Sequence, residues 1–177
     1  MSLKEKYTKE VVPALREKFS YPNVMAVPKM EKITVNVGVG RLRQDKEHEE
    51  VRKFIGLITG QHPQARAARI AIAAFKTRKG LVVGYRVTLR GARMYHFAER
   101  LIGTALPRTR DFQGIPATAF DKGGNLTIGI KECIVFPEMI GENYQFIFGL
   151  EATVTTTART KDEGIELLKQ MGFPIKM

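Results

Sequence analysis

Glu31-Lys32-Ile33-Thr34-Val35-Asn36-Val37-Gly38 is the stretch that decides how this chain folds. Ile33, Val35 and Val37 fall on one side of an extended backbone and Lys32, Thr34 and Asn36 on the other, the pattern of a strand with one buried face that ends at Gly38. Leu81 to Arg90 repeats it, with Tyr85, Val87 and Leu89 against Arg86, Thr88 and Arg90. Two later strands place Leu126, Ile128 and Ile130, then Leu150, Ala152 and Val154, inward. Their opposite sides carry Thr127, Lys131, Thr153, Thr155 and Arg159. A fifth, less sharply patterned strand is expected over Gln64 to Ile72, where alanine weighs little either way.

Helical spacing fills the intervals. Ser2 with Glu5 reads as a capping box ahead of Leu3, Tyr7, Val11, Leu15 and Phe19, one helical stripe that Pro13 should kink or restart. Val51, Phe54, Ile55 and Ile58 form a second stripe stopped by Gly60. Met94, Phe97, Leu101 and Ala105 form a third, closed by Pro107. Thr160 with Glu163 opens a last helix that ends near Gly172 and Pro174. Strands with one apolar side need one covered face. The order therefore predicts an α+β fold, a five-stranded, mostly antiparallel sheet with helices packed on one face and an open polar face on the other. A length of 177 residues suits a single domain over 1–177.

Charge is distributed unevenly. Between Glu50 and Glu99 there is no acidic residue, yet the stretch holds Arg52, Lys53, Arg66, Arg69, Lys76, Arg78, Lys79, Arg86, Arg90 and Arg93. Residues 1–50 carry ten basic and eight acidic side chains, and residues 99–177 nine and ten, so the net charge of +11 sits almost wholly in the middle third. Such a concentration implies a polyanionic partner, most commonly nucleic acid.

Other classes find little support. No uncharged apolar run approaches the roughly 18 residues that cross a bilayer, and Met1 to Tyr7 lacks an apolar signal core, so a cytoplasmic protein without a membrane partner is expected. Cys133 is the only cysteine, set in an apolar string as a buried thiol would be. His48, His62 and His96 have no partners at metal-ligand spacing, and Gly38-Val39-Gly40 lacks the third glycine of a dinucleotide loop, where Arg43 stands. No paired acid and base is visible. The expectation is no catalytic residue, no metal, no cofactor and no small-molecule substrate, with an RNA-processing or RNA-modifying enzyme as the alternative.

Three regions are candidate sites. Period two gathers Lys32, Thr34, Asn36, Arg86, Thr88 and Arg90 on the open face, beside Arg66 and Arg69 from the short strand. Polar alternation usually means a solvated face, but the acid-free run favours binding. Threonine, asparagine and arginine in place of stacking aromatics suit phosphates, ribose hydroxyls and the shallow groove of folded RNA. The tip Phe75-Lys76-Thr77-Arg78-Lys79-Gly80 offers a second RNA contact. In the long connection Pro107 to Gly124, Arg108, Arg110, Asp111 and Phe112 mark either a loop tucked on the core or a docking surface.

Several strings then coincide in order: Val27-Pro28-Lys29-Met30-Glu31-Lys32-Ile33-Thr34-Val35-Asn36-Val37-Gly38-Val39-Gly40, Thr59-Gly60-Gln61, Val87-Thr88-Leu89-Arg90-Gly91, Pro107-Arg108-Thr109-Arg110-Asp111-Phe112, Phe136-Pro137-Glu138 and Thr155-Thr156-Thr157-Ala158. End to end, the chain resembles the bacterial-type large-subunit ribosomal protein five family, the 5S rRNA binders of the central protuberance. The resemblance implies a structural RNA-binding protein of the cytoplasmic ribosome that holds 5S rRNA to 23S rRNA and works in translation. It implies 5S rRNA contacts at Asn36, Gln61 and Thr88. It also implies that Ala73 to Gly80 approaches peptidyl-site tRNA and that the Arg-Asp-Phe loop faces small-subunit ribosomal protein thirteen. The chain departs from the family in places. Ala68-Arg69-Ile70-Ala71-Ile72-Ala73-Ala74-Phe75-Lys76 replaces the common Ala-Arg-Lys-Ser-Ile-Ala-Gly-Phe-Lys, which implies a stiffer tip. Lys79 stands at a usually acidic position, Gln113 replaces a usual arginine, and Tyr144, Phe146, Ile147 and Phe148 replace charged residues.

Overall fold

The structure is a computed structural model and describes residues 1–42, 44–139 and 147–176. Arg43 and most of the apolar departure at 143–148 therefore lie outside the described residues; of the latter, Phe148 is buried and Ile147 exposed.

Five strands build the main sheet: β1 (Met30–Gly38), β2 (Gln64–Ala67), β3 (Val82–Leu89), β5 (Leu126–Ile130) and β6 (Leu150–Thr156), all antiparallel, in the order β2-β3-β1-β6-β5. A separate two-residue parallel pair joins β4 (Ile115–Pro116) to β7 (Ile175–Lys176). The helices are α1 (Leu3–Lys6), α2 (Val12–Phe19), α3 (Asp45–Thr59), α4 (Gly91–Arg100), α5 (Leu106–Arg108) and α6 (Lys161–Met171). Ile33, Val35 and Val37 of β1 are buried with Val87 and Leu89 of β3 and Ala152 and Val154 of β6. Leu15, Phe54, Ile55, Phe97 and Leu168 from the helices complete the same core. The sheet thus has one covered face and one open face, as the alternation requires.

Two prolines are absorbed by one device. Pro13 and Pro107 each stand in the first turn of a helix, and each helix is preceded by a widened π-turn, Tyr7–Val11 and Leu101–Ala105. Proline lacks an N–H and its ring collides with the carbonyl one turn back, and a wider turn relieves both problems. Pro13 accordingly restarts its helix. Pro107, expected to close the third helix, lets it continue to Arg108, where the Thr109 hydroxyl donates to Ala105 O at 3.0 Å.

The short strand is a second correction. It ends at Ala67 rather than Ile72, after a register shift between Arg66 and Ala67. Its partner turns away: Gly80 has φ +90, so β3 cannot extend backwards, and only loop bonds such as Ala68 N to Leu81 O at 2.8 Å remain. The connection 107–124 is also less free than its length implies, because Ile115 N donates to Pro174 O at 2.8 Å beside the β4/β7 pair.

Long-range ties hold the helices to one another and to a loop. Lys18 meets Glu166 at 2.8 Å, joining α2 to α6. Arg100 pairs with Glu138 and donates to Ile58 O at 3.0 Å, and Leu3 N donates to the Glu99 carboxylate. Burial pushes the Cys133 thiol above its ordinary pKa, consistent with an inert core residue.

The tightest packing is glycine on glycine. A Cβ at Gly164, in the first turn of α6, would collide with the Gly124 backbone, and one at Gly124 (φ +73) would lie 2.7 Å from Thr160 O. Gly164→Ala should therefore destabilise the protein by about 3 kcal/mol, the scale of severe overpacking, read as a lower urea midpoint at unchanged slope.

Candidate nucleic-acid interface

The site rests on the pairing of β1 with both neighbours. Across the open face, Thr88, Thr34, Thr153 and Thr127 fall in one cross-strand row, and Gln64, Arg86, Asn36, Glu151 and Gly129 fall in the next. Paired residues on adjacent strands project to the same side, so both rows are continuous polar surfaces. Asn36, Arg86, Arg90, Thr127 and Glu151 are exposed, while Lys32, Thr34, Thr88, Thr153 and Thr155 are half-buried between neighbours. The Thr127 and Thr153 hydroxyls lie 3.3 Å apart. Lys32 reaches the face opposite Thr155 because a bulge between Met30 and Lys32 resets the register.

Gln61 is brought to this face by a short relay. The buried Thr59 hydroxyl donates to Ile55 O at 2.7 Å and accepts from Gln61 N at 3.3 Å, Gly60 turns the chain with φ +66, and Gln61 Nε2 donates to Thr88 O at 3.3 Å. The three family-implied positions, Asn36, Gln61 and Thr88, thus lie on adjoining parts of one surface. Arg66 joins them opposite Gly84, its Nε shut from solvent without a hydrogen-bond partner among the described residues. Arg69 does not join them. Because β2 stops early, it is an exposed residue of the approach to the tip.

The threonine string divides its duties. Thr155 lies on the face, the buried Thr156 hydroxyl donates to Gly124 O at 3.0 Å, and Thr157 accepts from Lys29 N at 3.0 Å. On the covered side Tyr85 is buried, which raises its phenol pKa, and its ring meets His48 edge-on.

The tip is tightly formed. Ile72 and Thr77 exchange backbone bonds at 3.0 and 3.1 Å around a 3-10 turn Ala73–Phe75, and Lys76 closes it with φ 50. Phe75, Lys76, Arg78 and Lys79 are exposed and Thr77 is half-buried. Arg108, Arg110 and Asp111 are exposed as well, Asp111 in the left-handed region at φ 53, whereas Phe112 packs partly on the core. That phenylalanine is tucked back on the core while the charged residues beside it stay exposed.

Some contributors are invisible to a charge count. Glu151 puts one carboxylate beside Asn36, and Asn36, Gly38, Gly129, Lys131, Gly149 and Glu151 line a shallow depression. At Gly38 and Gly129 a Cβ would meet nothing within 4 Å, so packing does not demand glycine there. A glycine inside a strand, which weakens it, was the available signal of a close approach by another molecule. Among the described residues no cluster of three metal-ligating side chains exists, and no helix is long and apolar enough to cross a membrane.

A sheet covered on one side, with hydroxyls, amides and guanidinium groups on the other, is an α+β architecture whose open face has the chemistry that RNA-binding proteins use. Family comparison gives the particular kind. Residues 23–78 match the family described as Ribosomal protein L5, and residues 82–175 match the model of that ribosomal family's C-terminus. Large ribosomal subunit protein uL5 of Streptococcus thermophilus is 48% identical over 97% of this chain and 96% of its own. The uL5 of Streptococcus pyogenes serotype M49 is 49% identical over the same shares. The chain belongs to the ribosomal protein L5 family. That family consists of structural, RNA-binding ribosomal proteins rather than enzymes, so the enzymatic alternative falls away.

Gly129→Val tests the clearance directly. The urea midpoint should not fall, because valine suits a strand and fills open space, whereas affinity for ribosomal RNA in a gel shift should drop about tenfold, the equivalent of about 1.4 kcal/mol.

Proposed function

We propose that this chain is a single RNA-binding unit of the large ribosomal subunit that grips 5S rRNA with the open face of its sheet and helps attach it to 23S rRNA. Lys32, Thr34, Asn36, Gln61, Arg66, Arg86, Thr88 and Arg90 form the 5S contact in this reading, with Arg69 reaching RNA from beside the tip. Phe75 to Lys79 approach peptidyl-site tRNA. Arg108, Arg110 and Asp111 face small-subunit ribosomal protein thirteen, with Phe112 acting as their anchor on the core. The protein works in the ribosome, in the cytoplasm, by holding RNA in place.

One observation carries the reading: the rows Thr88-Thr34-Thr153-Thr127 and Arg86-Asn36-Glu151 lie on the face opposite the helices, beside the acid-free cationic third. Cations supply affinity through phosphate neutralisation, while hydroxyl and amide groups at fixed spacing supply fit to one RNA shape. Glu151 works against indiscriminate binding, since a carboxylate on such a face repels any backbone that does not clear it.

A gel shift against 5S rRNA with an equal mass of unrelated structured RNA as competitor is the direct test, and loss of the 5S complex to that competitor would overturn the reading. If about six cations reach phosphates, affinity should fall about a thousandfold between about 50 and 200 mM salt. Arg86→Ala should flatten that salt dependence. Thr88→Val should leave it unchanged while reducing the preference for 5S rRNA. Identical effects from the two substitutions would show that the face is an undifferentiated charge patch.

A further inference from the structure

Phe75 is 72% exposed at the crest of a turn closed by the Ile72/Thr77 backbone pair, with its own N–H donating to Ile72 O at 3.3 Å, so it is held out in solvent. Beside it runs a cleft lined by Gly40, Arg41, Leu42, Phe75, Thr77 and Ile147, the last 51% exposed. Arg41, Lys76, Arg78 and Lys79 are exposed along the cleft and the tip, and no acidic side chain lines the cleft among the described residues. The surface is therefore apolar and flat at one point and cationic around it.

We propose that this cleft takes one unpaired RNA nucleobase, stacked on the Phe75 ring, with Arg41 and the tip cations on the flanking phosphates. The inference rests on the proposed role of the tip as an RNA contact and specifies what it reads. Paired RNA hides its base faces within the helix and offers an exposed phenylalanine nothing to stack on, whereas an extruded base presents its full face. Each ligand part has a counterpart: the ring for the base, the Thr77 hydroxyl oxygen, whose proton goes to Phe75 O at 3.3 Å, as an acceptor for its polar edge beside the chain turn at Gly40, and cations for the charge. An acidic peptide with an apolar side chain is the competing occupant. It would gain from Ile147 and Leu42 as much as from an aromatic, so the position most exposed would have no need of a flat ring.

The chain contains no tryptophan, so Phe75→Trp installs a single indole, excited selectively beyond the tyrosine band, at the proposed contact without disturbing the core. The probes are a short hairpin RNA carrying one extruded adenosine, the same hairpin fully paired, and an oligoglutamate peptide containing leucine. Stacking should quench the indole with the extruded-base hairpin alone, and that hairpin should bind about tenfold more tightly than its paired twin. Phe75→Leu should lose the preference while keeping binding to both. If both hairpins bind with salt dependence but the indole stays unchanged and Phe75→Leu is neutral, the base site is refuted and the RNA role of the tip stands. If neither RNA binds and the peptide shifts the indole emission, both are refuted and the cleft is a protein-docking surface.

Discussion

The register of β1 against β3 and β6 is the constraint from which the rest follows. Val35 lies opposite Val87 and Ala152 on the covered side, and Thr34 lies opposite Thr88 and Thr153 on the open side. A slip of one residue would exchange these sets, driving Lys32, Thr34 and Asn36 into the core and the valines into water. Burial of Ile33, Val35 and Val37 therefore does more than stabilise. It fixes which hydroxyls and cations stand side by side on the outside, with a spacing set by the sheet rather than by flexible loops.

Stability and binding are kept on opposite sides of one sheet. The covered side spends its polar groups on internal bonds, such as Arg100 to Glu138 and Thr59 to Ile55. On the open side, the exposed Arg86 and Asn36 are held in position by backbone pairing, Arg90 by its place at the N-cap of α4, and the half-buried threonines by their neighbours. Most cations of the acid-free run lie in β2, β3 and the segments flanking them, so positive charge is densest at the β2/β3 side and thins toward β6 and β5, where Glu151 and Gly129 take over. An RNA drawn in by charge at one edge meets a sterically open but electrostatically neutral floor at the other.

Much of this was legible in residue order alone. Alternation in β1, β3, β5 and β6 placed Asn36, Thr34, Arg86 and Thr88 on one face, because a period of two leaves little freedom once one side must be buried. Capping boxes at Ser2 and Thr160 and the stop at Gly60 fell where expected. What failed depended on backbone geometry that residue type alone does not announce. The end of β2 is set by Gly80, thirteen residues after Ala67, and Pro107 is tolerated only because the turn before it widens. Gln61 was reached through resemblance, since its place beside Thr88 arises from a turn and one long hydrogen bond that no local pattern encodes. Glu151, Gly38 and Gly129 were passed over because an acid and missing side chains do not look like a cationic site.

The strand order also has a bearing on how the protein is made. β1, in the middle, pairs with β3 once about ninety residues have emerged from the tunnel, but its other edge waits for β6, more than sixty residues later. During that interval the nascent chain presents half of a basic surface next to an unsatisfied strand edge, within reach of both RNA and other chains. For this topology the middle strand is therefore guarded late, and its exposure to wrong pairing ends only when β6 closes the free edge.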